Sequence, residues 1–150
     1  MLWLIGKCII FFTQAYRSRY WLGCDIIVFV IDDTAPKAAL DTARAVVEIA
    51  SDKLAGDVVL LDMCGSCSYA DYVVLVSGES ARQLQAVADE IVSVLKQKGI
   101  TLTHREGIAA SGWLVLDYSD VVVHVFAPAE RAYYRLDDMW SAARQVVRLA

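Results

Sequence analysis

Two cysteines, a few aspartates and one strand-embedded histidine are the side chains whose types and spacing invite chemistry in this 150-residue chain. Cys64-x-x-Cys67 has the spacing of a dithiol redox pair or of half a zinc site. A redox pair wants a helix N-terminus, where the dipole lowers the thiol pKa, but here the pair sits in a small-residue loop, Met63 to Ser68, that runs into a strand. A zinc site needs two more ligands, and Cys8, Cys24, His104 and His124 are not paired at metal spacing. Asp117 and Asp120 flank a turn, and Asp71 precedes another strand. A nucleotidyl-transferring centre would want a Gly-Ser pair followed by two aspartates one residue apart to hold divalent metals. Ser77-Gly78 echoes the first part, but no Asp-x-Asp stands on a strand, and Asp62 and Glu106 do not complete a site by spacing. His124, within Val121 to Phe126, has no Ser or Cys nucleophile at a recognisable spacing and reads as a hydrogen-bonded structural residue. There is no phosphate-binding loop of the Walker type and no dinucleotide fingerprint.

The elements that must position these residues follow from periodicity. From Pro36, Leu40, Ala43, Val47, Ala50 and Leu54 recur at helical spacing, and Gly56-Asp57 ends that helix. Val58 to Leu61 is a continuous apolar run suited to a strand buried on both faces, and Tyr72 to Val76 is a second strand. Ser80 can cap the next helix, whose stripe is Leu84, Val87, Ala88, Ile91, Val94 and Leu95 and whose stop is Gly99. Thr101 to Arg105, Trp113 to Leu116 and Val121 to Phe126 read as three more strands, the last two joined by the turn Asp117-Tyr118-Ser119-Asp120. Pro128 opens a short helix, and a last helix carries Leu136, Met139, Trp140, Ala143 and Val147 on its inner side. A helix-length crossover predicts parallel pairing of the two strands that flank it, and the final hairpin is antiparallel. The expected fold class is α/β: a mixed sheet of about five strands flanked by helices.

Residues 1–35 are unlike the rest and read as an N-terminal extension of unknown role, with the domain proper at residues 36–150. Asp32 to Pro36 marks the boundary, with Asp or Thr as a helix cap and Pro in the first turn. The apolar runs Leu2 to Phe12 and Ile26 to Ile31 fall short of the roughly 18 residues a bilayer requires, so no membrane role is expected. With no convincing secretory leader, four cysteines suggest a reducing cytoplasm rather than a disulfide framework. Hydrophobic residues at 57% and charged residues at 21% exclude a disordered chain. A net charge of -4 argues against direct nucleic-acid specificity, which draws on clustered Lys and Arg. The last third is rich in aromatics. Trp140 fits the helix stripe and reads as core, Trp113 follows Ser111-Gly112 at a strand start where partial exposure is expected, and Tyr118 lies in the turn. The residues by themselves describe an α/β binding module.

Several ordered motifs then carry a resemblance over residues 37 to 141. Ala70-Asp71-Tyr72-Val73-Val74, Ser77 to Gln83, Arg105-Glu106-Gly107, Gly112 to Phe126 and Arg131 to Trp140 together resemble the ribosomal silencing factor (Iojap-like) family. The resemblance implies a nucleotidyltransferase-like topology without the catalytic centre, no enzymatic activity and no cofactor. It implies binding to the large ribosomal subunit through its fourteenth large-subunit protein at the intersubunit face, steric block of subunit association and repression of translation. An acidic chain suits a basic ribosomal protein better than RNA. Carried over residue by residue, the binding surface comprises Trp113, Leu116, Asp117, Tyr118, Ser119, Asp120 and Val122. Ser119 replaces the family's usual turn glycine, Asp138 its usual Glu and Met139 its usual Leu, while Cys64 and Cys67 match no family motif. A homodimer stays open. The alternative from another class is a nucleotide-binding or nucleotidyltransferase-type enzyme built on Ser77-Gly78 and the nearby carboxylates.

Overall fold

Two helices supply the stripe residues that the sheet needs on one face. The structure, a computed structural model, describes residues 35–66 and 68–150. The N-terminal extension, the proposed cap at Asp32 to Thr34, Cys8, Cys24 and Cys67 lie outside the described residues. Helix α1 (Ala35–Asp52) buries Ala39, Ala43, Val46 and Ala50. Helix α2 (Ala81–Gln97) buries Leu84, Val87, Ala88, Ile91 and Leu95. As the sequence suggests, Ser80 caps α2: its hydroxyl accepts from the Gln83 N–H at 3.2 Å, while the Gln83 side-chain oxygen accepts from the Glu79 N–H. Leu54 departs from the expected stripe. The chain leaves α1 two residues earlier, Leu54 takes a left-handed φ of 54°, and its side chain is 85% exposed.

The strands are β1 (Gly56–Asp62), β2 (Tyr72–Ser77), β3 (His104–Ile108), β4 (Trp113–Asp117), β5 (Val121–Phe126) and β6 (Arg144–Leu149). They form one sheet in the order β3-β4-β5-β2-β1-β6. Only β2 and β5 pair in parallel; the other neighbours are antiparallel. The mixed α/β class is as expected, with two corrections. The parallel partner of β2 is β5, not β3. Every residue of β5 is buried, which suits the sheet centre, whereas every residue of β3 is exposed, which suits an edge. The second correction concerns the C-terminus. Helix α3 (Pro128–Tyr134) and a single turn α4 (Leu136–Met139) are followed by β6 rather than by more helix. Leu136 is buried as expected, but Met139 is exposed. Helical spacing of Ala143 and Val147 misled because β6 is recruited non-locally: β1 is apolar on both faces, and its outer edge needs a partner.

The sheet's two faces are covered unequally. On the helix face, α1 and α2 enclose Val58, Leu60, Tyr72, Val74, Val76, Leu114, Leu116, Tyr118, Val121, Val123 and Val125. On the opposite face, Val59, Leu61, Val73, Leu75, Val122 and Phe126 are covered by Leu136, Tyr134, Trp140 and Ala143 from short elements. The glycine of Arg105-Glu106-Gly107 serves this architecture. Gly107 has φ +82°, and a Cβ there would stand 2.2 Å from the Trp113 carbonyl oxygen. Gly107→Ala is therefore expected to lower the unfolding free energy by about 2 kcal/mol or more, read by chemical denaturation. Wild-type stability would mean that β3 can lift off β4 at no cost.

Candidate functional site

Strand alternation sends Trp113, Val115, Val122, His124 and Phe126 to the face away from the long helices. Trp113 lies opposite Phe126 and Val115 opposite His124. The half-buried Trp113 ring stacks on Phe126 with centroids 4.9 Å apart and meets Tyr134 of α3 at 4.5 Å. Its Nε1–H donates to His124 Nδ1 at 3.2 Å. His124 in turn lies against Phe126 and Trp140. Tyr133 touches Tyr134 edge-on and is 75% exposed, and Ile108, opposite Trp113 on β3, is 65% exposed. The result is an aromatic surface, partly open to water, on the thinly covered side of the sheet.

His124 is hydrogen-bonded, as read from the sequence. Burial pushes its pKa down from 6.5 to about 4, so the ring is neutral at neutral pH. Because Nδ1 accepts, the ring proton belongs on Nε2. The unfolded chain takes up a proton below pH 6.5 that the folded ring refuses until about pH 4, so stability falls as pH drops through that window. Relative to a His124→Leu variant, wild type should lose about 3 kcal/mol between those limits, read from denaturation midpoints across pH.

The other residues carried over from the resemblance are divided by the fold. Leu116 and Tyr118 are buried on the helix face. Val122 is buried beneath the aromatic face. The Asp117 carboxylate accepts from the Ser119 N–H at 2.8 Å and lies 3.7 Å from His104 Nδ1. Ser119 and Asp120 are exposed at the turn, and Ser119 takes φ 71°, the left-handed conformation that suits the glycine it replaces. Trp113 thus shares its face with Val115, His124, Tyr134 and Trp140, which sequence reasoning did not gather. Tyr134 and Trp140 reach it from α3 and the residue after α4, and no local spacing announces that packing.

The carboxylates and the Ser-Gly pair occupy opposite ends of the sheet. Asp71 and Tyr72 donate their N–H groups to the Asp120 carbonyl at the start of β2, whereas Ser77 closes its other end. Six strand residues separate the ends by about 17 Å. Burial, reinforced by Asp120 and Asp62, raises the Asp71 carboxyl. Asp62 accepts from the Cys64 N–H at 3.0 Å and from Arg144 at 2.6 Å. Among the described residues no group of three His, Cys, Asp or Glu side chains is placed to hold a metal ion. Cys64 is an exposed thiol in a turn after β1, not at a helix start. The Ser77 hydroxyl is taken by buried Arg131 of α3 at 2.8 Å. The same guanidinium donates to the Asp57 carbonyl and pairs with Asp137 at 2.8 Å and Asp57 at 3.3 Å. Burial alone would raise the Asp137 carboxyl, but the hydrogen bonds and charge of Arg131, with a backbone hydrogen bond and the charge of Arg148, together outweigh it and hold it below the usual range. This serine is a structural acceptor.

Tyr118 has the one buried side-chain polar atom without a hydrogen-bond partner among the described residues, its hydroxyl. Burial pushes its pKa up to about 12. Because an unpaired buried hydroxyl carries an uncompensated desolvation cost, Tyr118→Phe should stabilise the fold by about 1 kcal/mol, visible as a raised melting temperature. A destabilised variant would reveal a partner for the hydroxyl.

Fold and face together describe a small mixed α/β module with a partly exposed aromatic face. Comparison with known proteins narrows that class. The family model described as "Ribosomal silencing factor during starvation" matches residues 36–150, and the chain belongs to that family. It is 41% identical over 100 residues to a ribosomal silencing factor RsfS of Halalkalibacterium halodurans, covering 67% of this chain and 86% of that protein. A mouse protein named mitochondrial assembly of ribosomal large subunit protein 1 is 31% identical over 90 residues, covering 58% and 40%. A crystal structure of a Chromobacterium violaceum protein superposes with a TM-score of 0.66 at 30% identity, covering 69% of this chain and 86% of that one.

Proposed function

We propose that this chain is a translational repressor that binds the large ribosomal subunit and blocks association with the small one. The observation that carries the reading is Trp113, held half-buried on the thinly covered face of the sheet in a chain of the silencing-factor family. An aromatic anchor with Ile108 opposite it, Tyr134 against it and the exposed Tyr133 next to Tyr134 is the composition that interface centres favour. Asp71 and Asp120, at the end of the sheet, add negative charge suited to a basic partner. The partner we propose is the fourteenth protein of the large subunit, at its intersubunit face, with the cytoplasm as the site of action. The contact surface centres on Trp113 and extends to Ser119, Asp120 and the Asp117 turn. Val122 supports it from below, and Leu116 and Tyr118 set the strand and turn from the other face. The mechanism is steric and requires no cofactor: a rigid module of this size can bury the roughly 1,200–2,000 Å² of a standard interface.

Repression follows from occupancy, so the test is direct. The full chain, mixed with separated ribosomal subunits and sedimented through sucrose, should travel with large subunits only and should reduce the joined-ribosome peak. Trp113→Ala should weaken that binding by more than about 1 kcal/mol, roughly fivefold or more. Free protein at the top of the gradient would overturn the reading, and unchanged affinity of the variant would remove Trp113 from the contact.

A further inference from the structure

We infer that His124 is a positioning residue for Trp113, its Nδ1 selecting which edge of the indole the docking face presents. The inference rests on the reading of that face as the binding surface. Stacking on Phe126 and tilted packing against Tyr134 fix the plane of the Trp113 ring. Stacking alone does not choose between the two faces of a ring whose χ2 wells are broad and roughly two-fold. The indole has a single polar atom, Nε1–H, and that atom donates to His124 Nδ1 at 3.2 Å. A flipped ring would point the donor elsewhere and leave it half-buried without this acceptor. The hydrogen bond thus discriminates between two placements that dispersion treats almost alike.

His124 is otherwise costly where it stands. Its neighbours on β5 are Val121, Val122, Val123, Val125 and Phe126, and the whole strand is buried. A polar ring in such a run gives up hydration and needs a partner to offset the loss. The groups packed on it are aromatic rings: Trp113 from β4, Phe126 from its own strand and Trp140 from beyond α4. No charged side chain contributes to the lowering of its pKa, and burial is the whole cause. The imidazole is therefore neutral and able to accept at the pH where a ribosome works. Protonation would turn the acceptor into a donor facing a donor.

The test uses the full chain labelled with ¹⁵N-tryptophan, three single variants and the Trp113→Phe, His124→Leu double variant. Trp113→Phe identifies the Trp113 indole resonance by its loss. In wild type that resonance should titrate with the depressed pKa of His124, near pH 4, not with an ordinary histidine's. His124→Asn, whose side-chain oxygen can stand near the Nδ1 position, should keep the indole N–H protected from exchange. His124→Leu should shift the resonance and expose the N–H. Binding to purified large subunits should weaken about tenfold in His124→Leu, should recover to within about threefold in His124→Asn, and should be insensitive to His124 in the Trp113→Phe background. An indole resonance unmoved in a folded His124→Leu, or equal effects of Leu and Asn on that resonance, would overturn the inference. If wild type fails to bind large subunits, the docking reading falls, while the resonances still decide whether His124 positions Trp113.

Discussion

The parallel pairing of β2 with β5 sets the conditions for everything around it. Both strands are buried along their whole length, and each presents apolar side chains to both faces of the sheet. Such a pair cannot leave a face to water, because every second residue on either side would be exposed. Two long helices satisfy one face with short residues that allow close approach, notably Ala39, Ala43, Ala50 and Ala88. The chain has no third long helix within the described residues for the other face. That face is closed by one buried leucine, short helical segments and the rings of Tyr134 and Trp140. Rings cover more area per residue than aliphatic side chains do, so they suit a face with few residues to spare. The aromatic surface is a consequence of the shortage.

Arg131 ties the short elements to this frame. It lies at the end of α3 yet reaches the Asp57 carbonyl at the entry to β1 and the Ser77 hydroxyl at the exit from β2. Its charge is matched by Asp57 and Asp137, so the buried cation is compensated. Arg148 of β6 also pairs with Asp57 at 3.1 Å, bringing the C-terminal edge strand into the same network. Asp57 itself takes a left-handed φ of 40°, placing carbonyl and carboxylate together where the guanidinium can meet both. The clamp fixes α3 against the sheet, and α3 delivers Tyr134 to Trp113. A network of charges next to the strand ends that carry Phe126 thereby supports the geometry of the aromatic face.

What was legible in the sequence was local. The stripe of α2, its Ser80 cap, its Gly99 stop and the β4–β5 hairpin all follow from residue spacing, because each is specified by neighbours within a turn or a hairpin. The parallel partner of β2 was not legible by that route: a crossover helix suggests the next strand, and only the burial of β5 against the exposure of β3 reverses the choice. β6 failed for a related reason, since Ala143 and Val147 fit a helical period while the free edge of β1 decided the outcome. The site was half legible. Trp113 stood out by type and place, but Leu116 and Tyr118 alternate to the far side, a separation that motif order hides and strand period reveals. Tyr134 and Trp140 came from segments anchored by Arg131, whose partners Asp57 and Ser77 no local window contains.

The Ser77-Gly78 pair shows how chemistry-bearing residues can be redirected by what surrounds them. A phosphate site at that turn would need the serine hydroxyl free and a carboxylate pair close enough to share a metal ion. Here the hydroxyl meets a buried guanidinium, and Gly78 is held close: its N–H donates to the Phe126 carbonyl at 2.8 Å, and a Cβ would stand 2.9 Å from Leu84. The nearby carboxylates of Asp57 and Asp137 are paired with that guanidinium, and at the other end of the strand Asp62 is engaged with Arg144 and Asp117 with its own turn. Ser77, Asp62 and Asp117 are here used to join elements. On the thinly covered face of the sheet Tyr133 and Ile108 are exposed and Trp113 is partly so, and together they offer area and shape. On the proposed reading such a face acts by occupying a partner's surface, and the orientation of one indole ring sets the fit.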